Sequence, residues 1–261
     1  MMIVVDKCYL QSAKAAEIQD LKTRYRFVLP DAFFLELLTD ENEGHRAAVV
    51  RKLGVQENPG GRIHIPHLLS FEIEHKQPAF PIEQFLREDF HFNPDLAKPT
   101  FQFLKEDQEN MARWETMNSV GIEGFQKLTS ALPLWFPELT DFPPGGPVAV
   151  IEDAMTRVGS DPNTVLSIID RFNSSMLPPT ELLDGRWAIF RKIKLDLLAS
   201  LEFIRRYGAK NTQVTSQRLH NDFLDLDYLI VAAMIGAFAT HDKIPRKYFR
   251  LVCPGGVLIP D

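Results

Sequence analysis

The pattern of hydrophobic and polar positions predicts a strand, helix, strand unit in the first 30 residues. The run MIVV at 2–5 is continuous and rich in β-branched residues, which is typical of a strand buried in a parallel sheet. The run RFVLP at 26–30 has the same character and stops at a proline. Between them, AKAAEIQDLKTRY at 13–25 has a composition that favours a helix.

The next segment, DAFFLELL at 31–38, predicts a helix. Most of its apolar residues gather on one face, and Glu36 falls beside that stripe. A second strongly patterned region begins at 221, where residues 221–235 predict a helix with an apolar face. GAFATHD then predicts a strand that follows a tight turn at Gly236. After it we expect YFRLVCP to form another strand and GGVLIP to add a short edge piece.

The middle of the chain differs from both patterned regions. Turn signals such as NPGG, FPPGGP and LPPT divide it into segments of mostly helical pattern, and strand-like runs are scarce. The clearest helices are expected at 163–172 and 187–208, the second closing on Gly208. The sequence therefore predicts a single α/β domain with a core from 1–40 and 211–261, interrupted by a large, mainly helical insertion over about 41–210.

Composition limits the classes of protein that fit. The 261 residues are 45% hydrophobic, which is ample for a packed core, and the formal net charge of -6 argues against a general polycation that coats nucleic acid. Two cysteines far apart make no disulfide framework or CxxC motif. No signal-peptide core and no membrane-length apolar run is evident, so we expect a cytoplasmic protein that does not associate with membranes.

Carboxylates stand at the ends of the predicted strands. Asp6 ends the first strand and Asp242 ends the strand GAFATHD, and ligands of open α/β sheets bind outside the carboxyl ends of the strands. The helix before Asp242 opens with Asp222, Asp225 and Asp227, which cannot all point at one site. Asp222 and Asp225 share a face, whereas Asp227 is rotated by about 200° from Asp225. We therefore favour Asp225 with Asp222 in support, and expect Asp227 to be a solvated neighbour or a helix-start charge.

Such a set of carboxylates suits a hard divalent cation. Mg²⁺ prefers oxygen ligands and is held by a few carboxylates together with waters and substrate phosphate. Without a cation the same groups would repel one another, and any single Asp at a strand end can instead be a helix N-cap. The histidines of HIPHLLSFEIEH match no zinc spacing, and we expect them on the surface or in the core.

Four of these acids, in their order along the chain, resemble the PIN-domain nucleases. The resemblance rests on the first strand ending in Asp6, on Glu36 in VLPDAFFLELL, on Asp225 opening an apolar helix and on Asp242 in ATHDK, and it covers 1–40 and 215–261. It implies a three-layer α/β/α domain with a parallel central sheet. It also implies that the four acids are catalytic and, with Asp222, bind Mg²⁺ or Mn²⁺, and that the protein cleaves RNA.

The resemblance also suggests partners and a biological setting. Thr240 would be the hydroxyl that accompanies Asp242, and the basic segment after it offers Lys243, Arg246 and Lys247 as candidate substrate-binding residues. A solvated basic edge is an equal alternative for that segment. A toxin or defence component with an antitoxin or another protein partner, and a homodimer, fit the family. The alternatives to a ribonuclease are a structure-selective DNA nuclease and a non-catalytic scaffold that binds protein.

Overall fold

A parallel sheet forms the centre of the molecule. The computed structural model describes residues 1–40, 42–54, 60–87, 94–98, 109, 121, 123–171, 177–210 and 216–260. Within these residues five strands pair in the order β3-β2-β1-β4-β5, and every neighbouring pair is parallel. The strands are β1 (Met2–Val5), β2 (Arg26–Pro30), β3 (Gly61–Ile63), β4 (Ala237–Ala239) and β5 (Val257–Ile259).

Helices make up most of the remaining described chain. They are α1 (Lys7–Ser12), α2 (Ala15–Arg24), α3 (Asp31–Leu38), α4 (Glu43–Leu53), α5 (Ile65–His75), α6 (residues 123–131), α7 (Val148–Ser160), α8 (Pro162–Arg171), α9 (Ala188–Tyr207), α10 (Ser216–Ile235) and α11 (Lys243–Val252). None of the described helices has an apolar stretch long enough to span a bilayer.

The central strands are buried on both faces. Ile3, Val4 and Val5 of β1 are fully buried, as are the residues of β4, although alternate side chains of a strand point to opposite faces. Both faces of the sheet are therefore covered, which is typical of an α/β fold with helices on each side. Helix α10 packs against β1, β2 and β4, while α2 packs against β2. The predicted α/β fold with a parallel sheet is confirmed at this level.

Several predicted elements are confirmed and one is wrong. The strands at 2–5 and 26–30, the helix at 31–38 and the edge strand in GGVLIP form as expected. The segment YFRLVCP, however, lies in helix α11 and its end rather than in a strand. Pro245, Tyr248, Phe249 and Val252 are buried and recur at helical spacing, so packing of that face determines the structure.

Strand β3 lies inside the range that the sequence assigned to the helical insertion, so the sheet extends further along the chain than predicted. Its approach to β2 depends on Gly60, because a Cβ there would lie 2.3 Å from the carbonyl oxygen of Phe27. Only a residue without a side chain allows this contact between backbones. A three-residue strand next to glycines carries no periodic pattern for sequence reasoning to detect.

The middle of the chain packs onto the sheet domain in one continuous core. Buried residues of α5, α7, α8 and α9 belong to the same hydrophobic cluster as those of β1 and α10. Glu72 of α5, which is fully buried, fixes the start of α9. Its carboxylate accepts hydrogen bonds from the backbone N–H groups of Ala79 (2.8 Å), Ala188 (2.7 Å) and Ile189 (2.8 Å).

Candidate metal centre

The pairing of β1 with β4 brings Asp6 and Thr240 together. Val5 is in register with Ala239, and the backbone N–H of Asp6 donates to the carbonyl of Ala239 at 3.0 Å. Both strands run in the same direction, so the residues that follow them emerge at one edge of the sheet. Asp6 and Thr240 are 234 positions apart in the sequence, yet their side chains are hydrogen bonded.

Asp6 is buried and well supplied with hydrogen-bond donors. One carboxylate oxygen accepts from the backbone N–H of Cys8 at 3.1 Å; the other accepts from the hydroxyl of Thr240 at 2.6 Å and the thiol of Cys8 at 2.9 Å. Asp6 is thus the N-cap of α1, the alternative role expected for a strand-end Asp. Burial nevertheless raises its pKa, and Asp242 raises it further. Three bonds leave about one of the four acceptor positions of a carboxylate.

Glu36 faces the same site from helix α3. Its carboxylate accepts a hydrogen bond from the hydroxyl of Tyr228 at 2.7 Å. Burial raises the pKa of Glu36 to about 7; the Tyr228 bond and Lys7 lower it, while the charges of Asp6 and Asp242 raise it. These mutual effects place Glu36 within electrostatic range of both aspartates.

Asp242 completes this group and differs from Asp6 in its exposure. It occupies the N-cap position of α11 but makes no capping hydrogen bond with its side chain, and it is exposed. Its backbone N–H donates to the hydroxyl of Thr240 at 3.1 Å. Ligand atoms of Asp6, Cys8 and Asp242 lie within 4.8 Å of one another. We call Asp6, Glu36 and Asp242 the acidic edge.

Cys8 is a member of this group that the sequence did not single out. Burial, followed by the charge of Asp6, raises the pKa of its thiol. The thiol therefore stays protonated and donates to Asp6, so Cys8 supports a carboxylate rather than supplying a thiolate ligand. Nothing in the sequence around Cys8 indicated this role, because a lone cysteine after a strand has no characteristic spacing.

The three aspartates of α10 have different surroundings. Asp225 lies close enough to Tyr228 for its charge to raise that phenol's pKa, and it lines a cleft with Glu202, Arg206 and aromatic residues. Among the described residues, Asp225 is not in the group whose ligand atoms lie within 4.8 Å of one another, although the sequence favoured it as a metal ligand. Asp222 lies in α10, but its side chain is outside the described part of the structure.

The expectation that Asp227 is a solvated charge is wrong. It is packed near Lys192, and burial raises its pKa to about 7, with Lys192 lowering it and Asp31 and Asp196 raising it. The rotation away from Asp225 is as predicted, but α9 occupies the space into which Asp227 points. Asp227 is therefore half-buried between helices rather than on an open surface.

Thr240 and the basic residues separate into two roles. Thr240 is fully buried, and its hydroxyl joins Asp6 to the backbone of Asp242, so it orients the carboxylates and has no exposed surface for a substrate. Lys243, Arg246 and Lys247 lie on one face of α11 with Arg250, along an open groove beside the acidic edge. Arg246 also donates to the carbonyl of Thr240 at 3.1 Å.

The composition of the acidic edge fits a hard divalent cation. Burial and neighbouring negative charge raise the pKa values of Asp6 and Glu36. A cation bound beside these carboxylates would lower both pKa values. The available donors are carboxylate oxygens, the ligand type of Mg²⁺ and Mn²⁺. Asp242, exposed and without a capping bond, is the member most accessible to an ion.

Comparisons with known proteins identify no relative of this chain. No family model matches the chain, and neither a curated protein nor a solved structure is significantly similar to it. What the acidic edge does is therefore inferred from its own residues.

Proposed function

We propose that this protein is a PIN-like, metal-dependent ribonuclease that hydrolyses RNA phosphodiester bonds at the acidic edge. The observation that carries the proposal is the meeting of Asp6 and Asp242, which offer ligand atoms within 4.8 Å of each other, with Glu36 in electrostatic range of both. Two of these carboxyls have pKa values raised by burial, and perturbed pKa values cluster at functional sites. The strand-end positions of the acids also agree with the PIN resemblance.

The acids that would hold the ion are Asp6, Glu36 and Asp242. A divalent cation bound there supplies charge for the scissile phosphate and lowers the pKa of the attacking water. The protein's own groups hold this arrangement in place. Thr240 fixes the Asp6 carboxylate, and the Tyr228 hydroxyl fixes that of Glu36.

The groove on α11 favours a polyanionic substrate over a small neutral one. Four basic residues follow the last acid directly, and a bound nucleic acid gains affinity by releasing the counterions of each phosphate that Lys or Arg contacts. Lys247 has one acidic partner, Glu152, at 3.7 Å. The positive groove thus lies next to a negative site, as cleavage of a phosphodiester chain requires.

The test compares wild-type protein with Asp242→Asn, a substitution that removes charge without removing a capping bond. Wild-type protein with Mg²⁺ or Mn²⁺ should cleave an RNA pool and lose the activity in EDTA. The cleavage rate of Asp242→Asn should be lower than that of the wild type by more than about 10²-fold. Mutation of residues that only support metal ligands already lowers metal affinity or activity by roughly 10–100-fold. Asp20→Asn, on the exposed surface of α2, is the matched control and should retain full activity.

A thermal shift provides a readout without catalysis. Mn²⁺ should raise the melting temperature of the wild type and of Asp20→Asn but not that of Asp242→Asn. Cleavage of a DNA pool alone would move the assignment to a DNA nuclease. Absence of both cleavage and a metal-induced shift would contradict the proposal and favour a protein-binding scaffold.

A further inference from the structure

A second pair of side chains continues the row that begins at the acidic edge. Asp31 follows β2 and His64 follows β3, just as Asp6 follows β1. Strand β2 pairs with both β1 and β3, so the three residues emerge in sequence along one edge of the sheet. Neither Asp31 nor His64 belongs to the acidic edge.

Asp31 holds His64 in a fixed orientation. The Nδ1 atom of His64 contacts one carboxylate oxygen of Asp31, and Arg62 binds the other through Nε and Nη2, each at 2.9 Å. The Asp31 side chain is only 9% exposed, whereas that of His64 is 46% exposed. A buried, anchored carboxylate therefore orients a histidine that solvent and a substrate can reach.

The contact with Asp31 places the imidazole near the end of β2, the strand beside β1. Because β2 lies between β3 and β1, His64 contacts the residue that follows the neighbour of the Asp6 strand. The backbones of β3 and β1 are two strand spacings apart, roughly 10 Å, and the side chains shorten that gap. Asp227 lies within electrostatic range of Asp31 and His64 and is adjacent to Tyr228, which binds Glu36.

We propose that His64, oriented by Asp31, is the proton donor to the leaving oxygen during phosphodiester hydrolysis at the acidic edge. With Nδ1 directed at Asp31, Nε2 is the nitrogen that exchanges a proton with the substrate, and no described residue bonds to it. The inference rests on the proposed ribonuclease function and adds a residue to it.

The step is balanced as follows. A water oxygen bonds to phosphorus, the bond from phosphorus to the leaving ribose oxygen breaks, and the Nε2–H proton passes to that oxygen. The water proton goes to solvent, from which neutral His64 is later reprotonated. The charged groups around the ring are Asp31, Arg62 and Asp227, with Lys192 and Asp196 next to Asp227. Asp31 supplies the negative charge that stabilises the imidazolium.

The experiment compares His64→Gln and Asp31→Asn with His67→Gln, which changes an exposed histidine of the same helix. With an RNA oligonucleotide and Mn²⁺, His64→Gln should lower kcat by about 10²-fold or more with little change in KM. Asp31→Asn, a positioning variant, should lower kcat by a smaller factor, again with little change in KM.

A second substrate separates proton donation from a structural effect. The 4-nitrophenyl ester of a nucleoside 5′-phosphate has a leaving group that needs no proton, so the loss in His64→Gln should shrink by at least about tenfold. Equal losses on both substrates would overturn the role of His64 while leaving the nuclease in place. If the wild type cleaves neither substrate, both proposals fail.

Discussion

Thr240 shows how one buried hydroxyl organises the acidic edge. It donates to Asp6 at 2.6 Å and accepts from the backbone of Asp242 at 3.1 Å, so it sets the separation of two acids. Thr240→Val keeps the shape but removes both bonds, and leaving buried groups unsatisfied costs roughly 1–3 kcal/mol. We expect the free energy of unfolding in urea to fall by about that amount.

Metal binding distinguishes this effect from a simple loss of stability. Thr240→Val should also weaken Mn²⁺ binding in calorimetry, because Asp6 is no longer held in place. Thr240→Ser retains the hydroxyl and should behave much like the wild type in both measurements. Equal metal affinity in all three proteins would show that Thr240 only stabilises the fold.

Glu36 makes stability depend on pH. Its pKa is about 7 in the folded protein, above the roughly 4.3 of an unfolded glutamate, so the folded state binds more protons between these values. Stability is therefore greatest below the unfolded pKa and is lost as pH rises towards 7. We expect the melting temperature to fall between pH 5 and about 8.

Glu36→Gln removes this titration and should reduce the pH dependence, part of which remains because the pKa of Asp227 is also about 7, while raising the melting temperature at pH 8. Mn²⁺ should restore stability to the wild type at pH 8 but have a much smaller effect on the variant. Differential scanning calorimetry at several pH values measures both trends. A variant with the wild-type pH dependence would show that Glu36 is not the group that titrates.

Sequence reasoning recovered some of these residues and missed others for identifiable reasons. Asp6 and Asp242 were found because each ends a strongly apolar strand. Asp31 and His64 also follow strands directly, but the three residues of β3 are too few to be recognised as a strand from the sequence. Without β3 there is no reason to place His64 at the same edge of the sheet as Asp31. Asp227 was misjudged because helical rotation gives its direction and not what packs there.

Helix α11 shows how composition can mislead at the level of an element. Tyr248, Phe249 and Val252 favour a strand by type, yet the segment is a helix with one apolar and one basic face. The signal was present in the spacing of the basic residues, at i, i+3, i+4 and i+7, which align on one face only in a helix. Amphipathic spacing was thus a better guide than residue preference.

The basic face of α11 should govern nucleic-acid binding. The double variant Lys243→Gln/Arg250→Gln removes two exposed charges from the groove. We expect weaker binding to labelled single-stranded RNA in EDTA. The logarithm of the association constant falls linearly with the logarithm of the salt concentration. The steepness of this dependence should decrease by about 0.7 for each phosphate that the variant no longer neutralises.

A matched control removes the same charge elsewhere. Arg24→Gln/Arg51→Gln changes two exposed residues of α2 and α4, near the opposite end of the strands. Fluorescence anisotropy should give the control nearly the wild-type salt slope. Equal loss of affinity in both double variants would indicate general electrostatics rather than a binding groove.

At the scale of the whole molecule, the helical middle and the sheet should unfold together. Glu72 ties α5 to the start of α9, and one hydrophobic cluster includes both regions. Glu72→Gln replaces an acceptor oxygen by an NH₂ group facing backbone donors, which should cost about 1–3 kcal/mol. The unfolding midpoints measured by tryptophan fluorescence, to which the buried Trp187 contributes, and by far-UV circular dichroism should shift to lower denaturant by the same amount.

The 234 positions between Asp6 and Thr240 have a consequence for biosynthesis. On a ribosome the first of these residues is made long before the second, and at roughly 5–20 residues per second the interval is about 10–50 seconds. Through that interval β4 is missing from its place between β1 and β5, so a nascent chain that emerges beside its own messenger RNA has no complete acidic edge.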